Sequence, residues 1–157
     1  MANVNAPNGF VPLRHLTGGV IRANEYAIAN SYAANLASGD LVTLAADGTV
    51  IRGTAGGTAL GVFYGVEYID NDTGDVRFRK VWNNAQTAKA DTPIKAYVYD
   101  DPNTLFKIQS DQDTTAIAAA DVGKNFQIVA SPTGSTVTFK SGLVADSSTK
   151  NTTNTFP

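Results

Sequence analysis

The chain has 157 residues, of which 43% are hydrophobic and 17% charged, with a formal net charge of −2 and no cysteine. The missing cysteine excludes disulfide scaffolds, thiolate metal sites and cysteine nucleophiles, and the scattered positive charge argues against nucleic acid as the main partner. A chain of this length is expected to form one domain with a core of its own.

No apolar run approaches the roughly 20 residues that a membrane-spanning helix needs. Residues 1–16 lack the basic and apolar regions of a secretory signal. We therefore expect no membrane partner and synthesis in a cytoplasm.

Residues 1–19 are expected to form an extended N-terminal arm. Asparagine, proline and glycine recur through the segment and oppose a regular element, yet it carries four large apolar side chains, Phe10, Val11, Leu13 and Leu16. Exposing such side chains costs solubility. We expect them either to dock on another chain or to fold back onto the domain's own core, with a disordered arm as the third alternative.

Alternating apolar and polar residues predict strands through residues 20–140, the expected core domain. The predicted strands are 20–29, 40–44, 49–52, 60–69, 76–82, 93–99, 104–109, 125–130 and 136–140, the last two forming a pair. Asp47-Gly48 and the Asp- and Asn-rich residues 70–75 and 100–103 predict turns. One helical turn is predicted over 113–123, capped by Asp113 or Thr114 and ended by Gly123.

Residues 141–157 are rich in Ser, Thr and Asn, and they are expected to form a C-terminal arm or a truncated tail. Together these elements predict an all-β fold. We expect a small β-barrel or sandwich with one short helix and extended N-terminal and C-terminal arms.

No residue cluster has the composition and spacing of a catalytic or cofactor site. His15 is the only histidine, whereas a hydrolase triad or a zinc site needs further groups around the imidazole. Asp70, Asp72 and Asp75 lack the spacing of a calcium loop, so we interpret them as part of a hairpin turn. The glycine-rich residues 53–61 lack the lysine of a phosphate loop. We expect no enzyme activity, no metal and no cofactor.

The strand 76–82 is the densest basic and aromatic segment. Ideal strand geometry puts Val76, Phe78, Lys80 and Trp82 on one face and Arg77, Arg79 and Val81 on the other. Three interpretations remain open: a face that contacts another subunit, a plain solvated strand, or a strand that stacks on a ligand. Tyr97 and Tyr99 share a face of their own strand, where they could extend a contact surface or pack in the core.

Four segments share their pattern of strands and turns with a known class of protein. They are residues 8–22 (NGFVPLRHLTGGVIR), 38–42 (SGDLV), 61–66 (GVFYGV) and 121–125 (DVGKN). This pattern resembles that of the head decoration, or capsid cement, proteins of tailed bacteriophages. The resemblance implies a β-rich domain on the outside of the virion capsid, often a trimer, that clamps neighbouring major capsid protein subunits with extended arms.

By position, the resemblance implies that Phe10, Val11, Leu13 and Arg14 contact the shell or a neighbouring subunit. The contact interpretation of the strand 76–82 adds Arg77, Arg79 and Trp82. The alternative function is a carbohydrate-binding or adhesion domain of a phage tail or surface protein, with Trp82 and the tyrosines as its stacking residues. A hydrolase whose acidic residues meet only in the folded chain is a third, more distant hypothesis.

Overall fold

A computed structural model describes residues 6–84, 86–111, 115–129 and 138–152, and the regular elements of these ranges are strands apart from one 3₁₀ turn. The strands are β1 (Val11–His15), β2 (Asn24–Ile28), β3 (Leu36–Ala37), β4 (Leu41–Leu44), β5 (Val50–Arg52), β6 (Gly61–Ile69), β7 (Val76–Arg79), β8 (Val81–Trp82), β9 (Ile94–Tyr99), β10 (Thr104–Lys107), β11 (Asn125–Val129) and β12 (Val144–Asn151). The expected all-β fold class is confirmed.

The largest sheet has six strands and is organised around β6. Its order is β2-β9-β6-β4-β5, and β7 pairs with the second half of β6 while β4 pairs with the first half. The edge strands β2 and β5 contact each other, so the sheet curls around its own apolar face.

That curled face holds the first core. Strict alternation along β9 buries Ile94, Ala96 and Val98 and leaves Lys95, Tyr97 and Tyr99 on the opposite face. The buried members of the first core are Ile28, Leu36, Val42, Val50, Phe63, Val66, Tyr68, Trp82, Ile94, Ala96 and Val98.

A second core joins the two ends of the described chain. Phe10, Leu41, Val62, Ile128 and Leu143 are its buried members. Since β1 pairs with β10 and β12 pairs with β11, the segments expected to be arms contain strands over Val11–His15 and Val144–Asn151. The apolar residues at Phe10 and Leu143 supply the physical reason, because their burial holds these strands against the body.

Two expectations about individual elements are corrected. The predicted strand pair of 125–130 with 136–140 is wrong, since β11 pairs with β12; residues 130–137 lie outside the described chain. The helical turn expected over 113–123 is a 3₁₀ turn over only Ala119–Asp121. Ala118 is extended, and its N–H donates to the Asp121 carboxylate (2.9 Å), which keeps the helix from extending backwards. Residues 112–114, with the expected caps Asp113 and Thr114, also lie outside the described chain.

The strand expected over 76–82 breaks at Lys80, and its predicted two faces hold only as far as Arg79. β7 pairs with β6, whereas β8 pairs with β3. Val81 and Trp82 are both buried as a result, although strict alternation puts them on opposite faces.

Candidate interaction surface

The N-terminal segment is anchored at one end and exposed at the other. Phe10 is buried and meets the Phe106 ring edge to face, with centroids 6.2 Å apart. Beyond this anchor, Leu13, Leu16 and Val20 are 57%, 56% and 80% exposed. With the exposed Arg14, these three residues form what we call the N-terminal ridge. Because β1 contacts the body through β10, the ridge faces solvent.

His15 links the N-terminal ridge to the turn between β9 and β10 by a side-chain contact. Its Nε2 lies 2.8 Å from the Asp101 carboxylate, and its Nδ1 lies 2.9 Å from the Thr17 hydroxyl. The Asn103 N–H and then the His15 contact hold the pKa of Asp101 below its usual value. Hydroxyl, imidazole and carboxylate are the groups of a hydrolase triad, but here they join neighbouring segments of backbone at the protein surface.

A row of aromatic rings covers the outer face of β6, β7 and β9. Ring centroids are 5.6 Å apart for Tyr97 and Phe78, 6.0 Å for Phe78 and Tyr64, and 5.3 Å for Tyr64 and Tyr99. A Cβ on Gly65 would lie only 3.0 Å from the Phe78 ring, so the glycine lets this ring lie against the sheet. We call the four rings the outer aromatic face. Phe78 is its most accessible member, at 51% exposed.

Charged side chains border the outer aromatic face on the β2 side. Lys95 Nζ lies 3.3 Å from Glu25 and 3.9 Å from Glu67, and the Tyr97 hydroxyl donates to Glu67 (3.1 Å). The hydrogen bond and charge of Glu25, followed by the charge of Glu67, raise the pKa of Lys95. An apolar patch with a polar rim is the usual arrangement of a protein–protein contact surface.

A groove of about 260 Å³ lies between β1 and the outer aromatic face. Its walls include Val11 and Pro12 on one side and Tyr64 and Tyr99 on the other. Phe139 also lines it and has a positive φ of 58°, a backbone conformation that is rare for an aromatic residue. The start of β1 and two rings of the outer aromatic face therefore line one groove.

The seven residues expected at an interface lie in different surroundings. Leu13 and Arg14 lie on the N-terminal ridge, Val11 is half-buried in the groove wall, and Arg77 and Arg79 lie on β7. Phe10 and Trp82 are 6% and 2% exposed. Both rings pack in the cores, and Phe10 also lines the groove beside β1.

The outer aromatic face was not predicted from the sequence, because it depends on the register of neighbouring strands. Phe78 lies directly opposite Glu67, and Gly65 opposite Tyr97. The turn at 70–75 gives the first of these pairings, since a turn sets the register of its hairpin. The second depends on an irregularity between Phe63 and Gly65 that the residue pattern does not signal.

The aspartates at 70–75 form the predicted turn. Asp70 accepts hydrogen bonds from the N–H groups of Asp72 (2.9 Å) and Thr73 (3.2 Å), and these bonds lower its pKa. Across the part of the chain that the structure describes, no three His, Cys, Asp or Glu side chains are grouped as metal ligands.

Comparison with known proteins returned no relative: no family model matches the chain, and neither a curated protein nor a solved structure is significantly similar to it. Within the described ranges, no helix has the length and apolar character needed to cross a bilayer.

Proposed function

We propose that the protein is a virion structural protein that decorates and stabilises a bacteriophage capsid by bridging neighbouring major capsid protein subunits. The supporting observation is the N-terminal ridge, where Leu13, Leu16 and Val20 are each more than half exposed. These residues fall within 8–22, the longest segment that resembles decoration proteins.

Contact with a partner removes the exposed apolar side chains of the ridge from water. Exposed apolar side chains gain free energy when a partner covers them, at about 25 cal/mol per Å² of apolar surface. The low charge of the chain, 17% of its residues, means that few ionic groups must be desolvated on docking. Several such contacts per assembly add through avidity, which opposes separation of the subunits that they bridge.

The test is co-sedimentation with empty expanded capsid shells of the phage that encodes the chain. Replacing Leu13, Leu16 and Val20 together by serine should weaken binding at least about tenfold, because apolar anchors carry most of the energy of a contact. The control replaces Leu44 and Ile117, which are exposed outside the four segments of the resemblance, by serine. We expect the control to bind like the wild type, and circular dichroism checks that both variants fold.

Equal binding of the ridge variant and the control would contradict the proposal. The carbohydrate alternative makes a different prediction, namely binding to immobilised glycans without co-sedimentation. Trp82 does not favour that alternative, because its ring is buried and its Nε1–H donates to the Tyr32 carbonyl (3.2 Å).

A further inference from the structure

We propose that β7 is a docking edge for an extended segment of another protein, in which apolar and acidic residues alternate. The segment would add one strand to the six-stranded sheet beside β7. Strand addition at this edge does not require a capsid, so it can hold or fail independently of the proposed function.

β7 has an open side. It pairs with β6 alone, and the described residues place no strand along its other side. The Asp70 N–H donates to the Asp75 carbonyl (2.9 Å), which makes these two residues a hydrogen-bonded pair of the hairpin. Such pairs alternate along antiparallel strands. The N–H and C=O groups of Val76 and Phe78 therefore point away from β6, as unpaired edge groups do.

The open edge has a defined length. The open edge ends at Lys80, because the Ser38 N–H donates to the Lys80 carbonyl (2.9 Å) and β3 pairs with β8, which follows. At its other end lies the turn at 70–75. A groove of about 220 Å³, lined by Phe78, Arg79, Lys80, Val81 and Phe139, lies beside the closed end.

Two properties of the edge define the incoming segment. Val76 and Phe78 are 66% and 51% exposed and share the outer face. The residues of the incoming segment that lie on this face should therefore be apolar. Arg77 and Arg79 lie on the other face, which favours acidic residues there. Arg79 and Lys80 are exposed, and neither makes an ion pair with the residues that the structure describes.

The same charges argue against a second copy of β7 as the occupant. Antiparallel pairing of Val76 with a neighbouring Phe78 would put Arg77 opposite Arg77. Pairing Phe78 with Phe78 would put Arg77 opposite Arg79. Like charges directly opposite each other destabilise a sheet, and edge cations are a common device against edge-to-edge association. In both registers that put Phe78 opposite another residue of β7, a second copy therefore brings cations together, whereas an acidic segment does not.

The probe is a labelled, acetylated peptide of alternating valine and glutamate, with a matched peptide in which lysine replaces glutamate. Fluorescence anisotropy should detect binding of the glutamate peptide only, and hydrogen exchange at the amides of Val76 and Phe78 should slow when it binds. Val76→Pro removes an N–H that points away from β6, a substitution that edge strands tolerate. We expect this variant to fold and to bind at least about tenfold more weakly.

Charge reversal gives the second test and does not depend on a proline. The double variant R79E/K80E should bind the glutamate peptide at least about tenfold more weakly than the wild type does. It should also bind the lysine peptide, because cross-strand pairs of opposite charge stabilise a sheet. The control R22E/K107E makes the same change in net charge at exposed positions outside β7. Unchanged hydrogen exchange at Val76 and Phe78, or equal binding of both peptides by the wild type, would overturn the proposal.

Discussion

Asp40 is a buried carboxylate, 1% exposed, that depends on its hydrogen-bond donors. It accepts from the Ala37 N–H (2.8 Å) and the Ser141 hydroxyl (2.5 Å), and Arg52 Nε lies 3.7 Å away. Loss of water around the carboxylate raises its pKa, although these three groups oppose the rise. Ser141 also accepts from the Leu143 N–H (3.0 Å), so one serine links the buried charge to the second core.

Ser141→Ala should lower the free energy of unfolding by about 1–3 kcal/mol, because it leaves a buried carboxylate and a buried N–H each short of a partner. The measurement is urea unfolding near neutral pH. Ser148→Ala is the control, since Ser148 is exposed and donates to Asp146 (2.6 Å) at the surface. A loss in Ser141→Ala no larger than in the control would show that Asp40 does not depend on this hydroxyl.

Asp121 joins two elements, the 3₁₀ turn and β12. It accepts from the Ala118 N–H (2.9 Å), from Lys124 (2.8 Å) and from Lys150 of β12 (2.9 Å). These contacts, the Ala118 N–H first, hold the pKa of Asp121 far below its usual value. A carboxylate with a lowered folded-state pKa adds stability above its unfolded pKa, and that stability is lost as pH falls through the folded pKa.

Asp121→Asn should therefore melt at a lower temperature than the wild type near neutral pH. The difference between the two melting temperatures should become smaller as pH falls from about 4 towards about 2. Thermal melts across this range measure the difference. Asp72→Asn, at an exposed turn position, removes the same charge without a contact between elements. A difference that stays constant with pH would show that the Asp121 charge does not hold β12 in place.

Elements specified by local chemistry could be predicted from the sequence, and those that depend on distant partners could not. The turns at Asp47-Gly48 and 70–75 join β4 to β5 and β6 to β7 as expected. By contrast, Val11 pairs with Lys107 and Asn125 with Asn151. Nothing near either strand in the chain identifies its partner, so both were expected to belong to arms or to other pairs.

Some residues of the candidate surface could likewise be predicted from the sequence, and others could not. Leu13 could be chosen as a candidate from the sequence because large apolar residues in an irregular segment need a partner, whereas Arg14 was chosen only by its position beside Leu13. Trp82 is buried where β8 pairs with β3 beyond Lys80, a pairing that the residue pattern of 76–82 did not predict. The outer aromatic face needed the register of three strands, which no single segment encodes.

At the scale of the whole molecule, the N-terminal ridge and the edge of β7 are two separate candidate contact surfaces. A protein that bridges neighbours needs more than one such surface, and closed rings form when different surfaces of identical chains meet with rotational symmetry. The trimer implied by the resemblance would cover part of the exposed apolar surface at Leu13, Leu16 and Val20.

Light scattering should accordingly give a mass of three chains, each of 16.5 kDa, either free in solution or on the shells. The ridge variant with serine at positions 13, 16 and 20 should shift the free protein towards one chain, because covered apolar surface drives association. A wild type that stays a single chain in solution and on shells would contradict the trimer.

Phe10 and Leu143 both belong to the second core, and their distance along the chain sets an order of events during synthesis. A ribosome must make residue 143 before the core around Phe10 is complete, so the nascent chain carries an unfinished core for most of its translation. Contacts between such distant residues also slow folding, since a long loop must close before they form. The amino-terminal strand should therefore be the part of the newborn protein that most needs a chaperone.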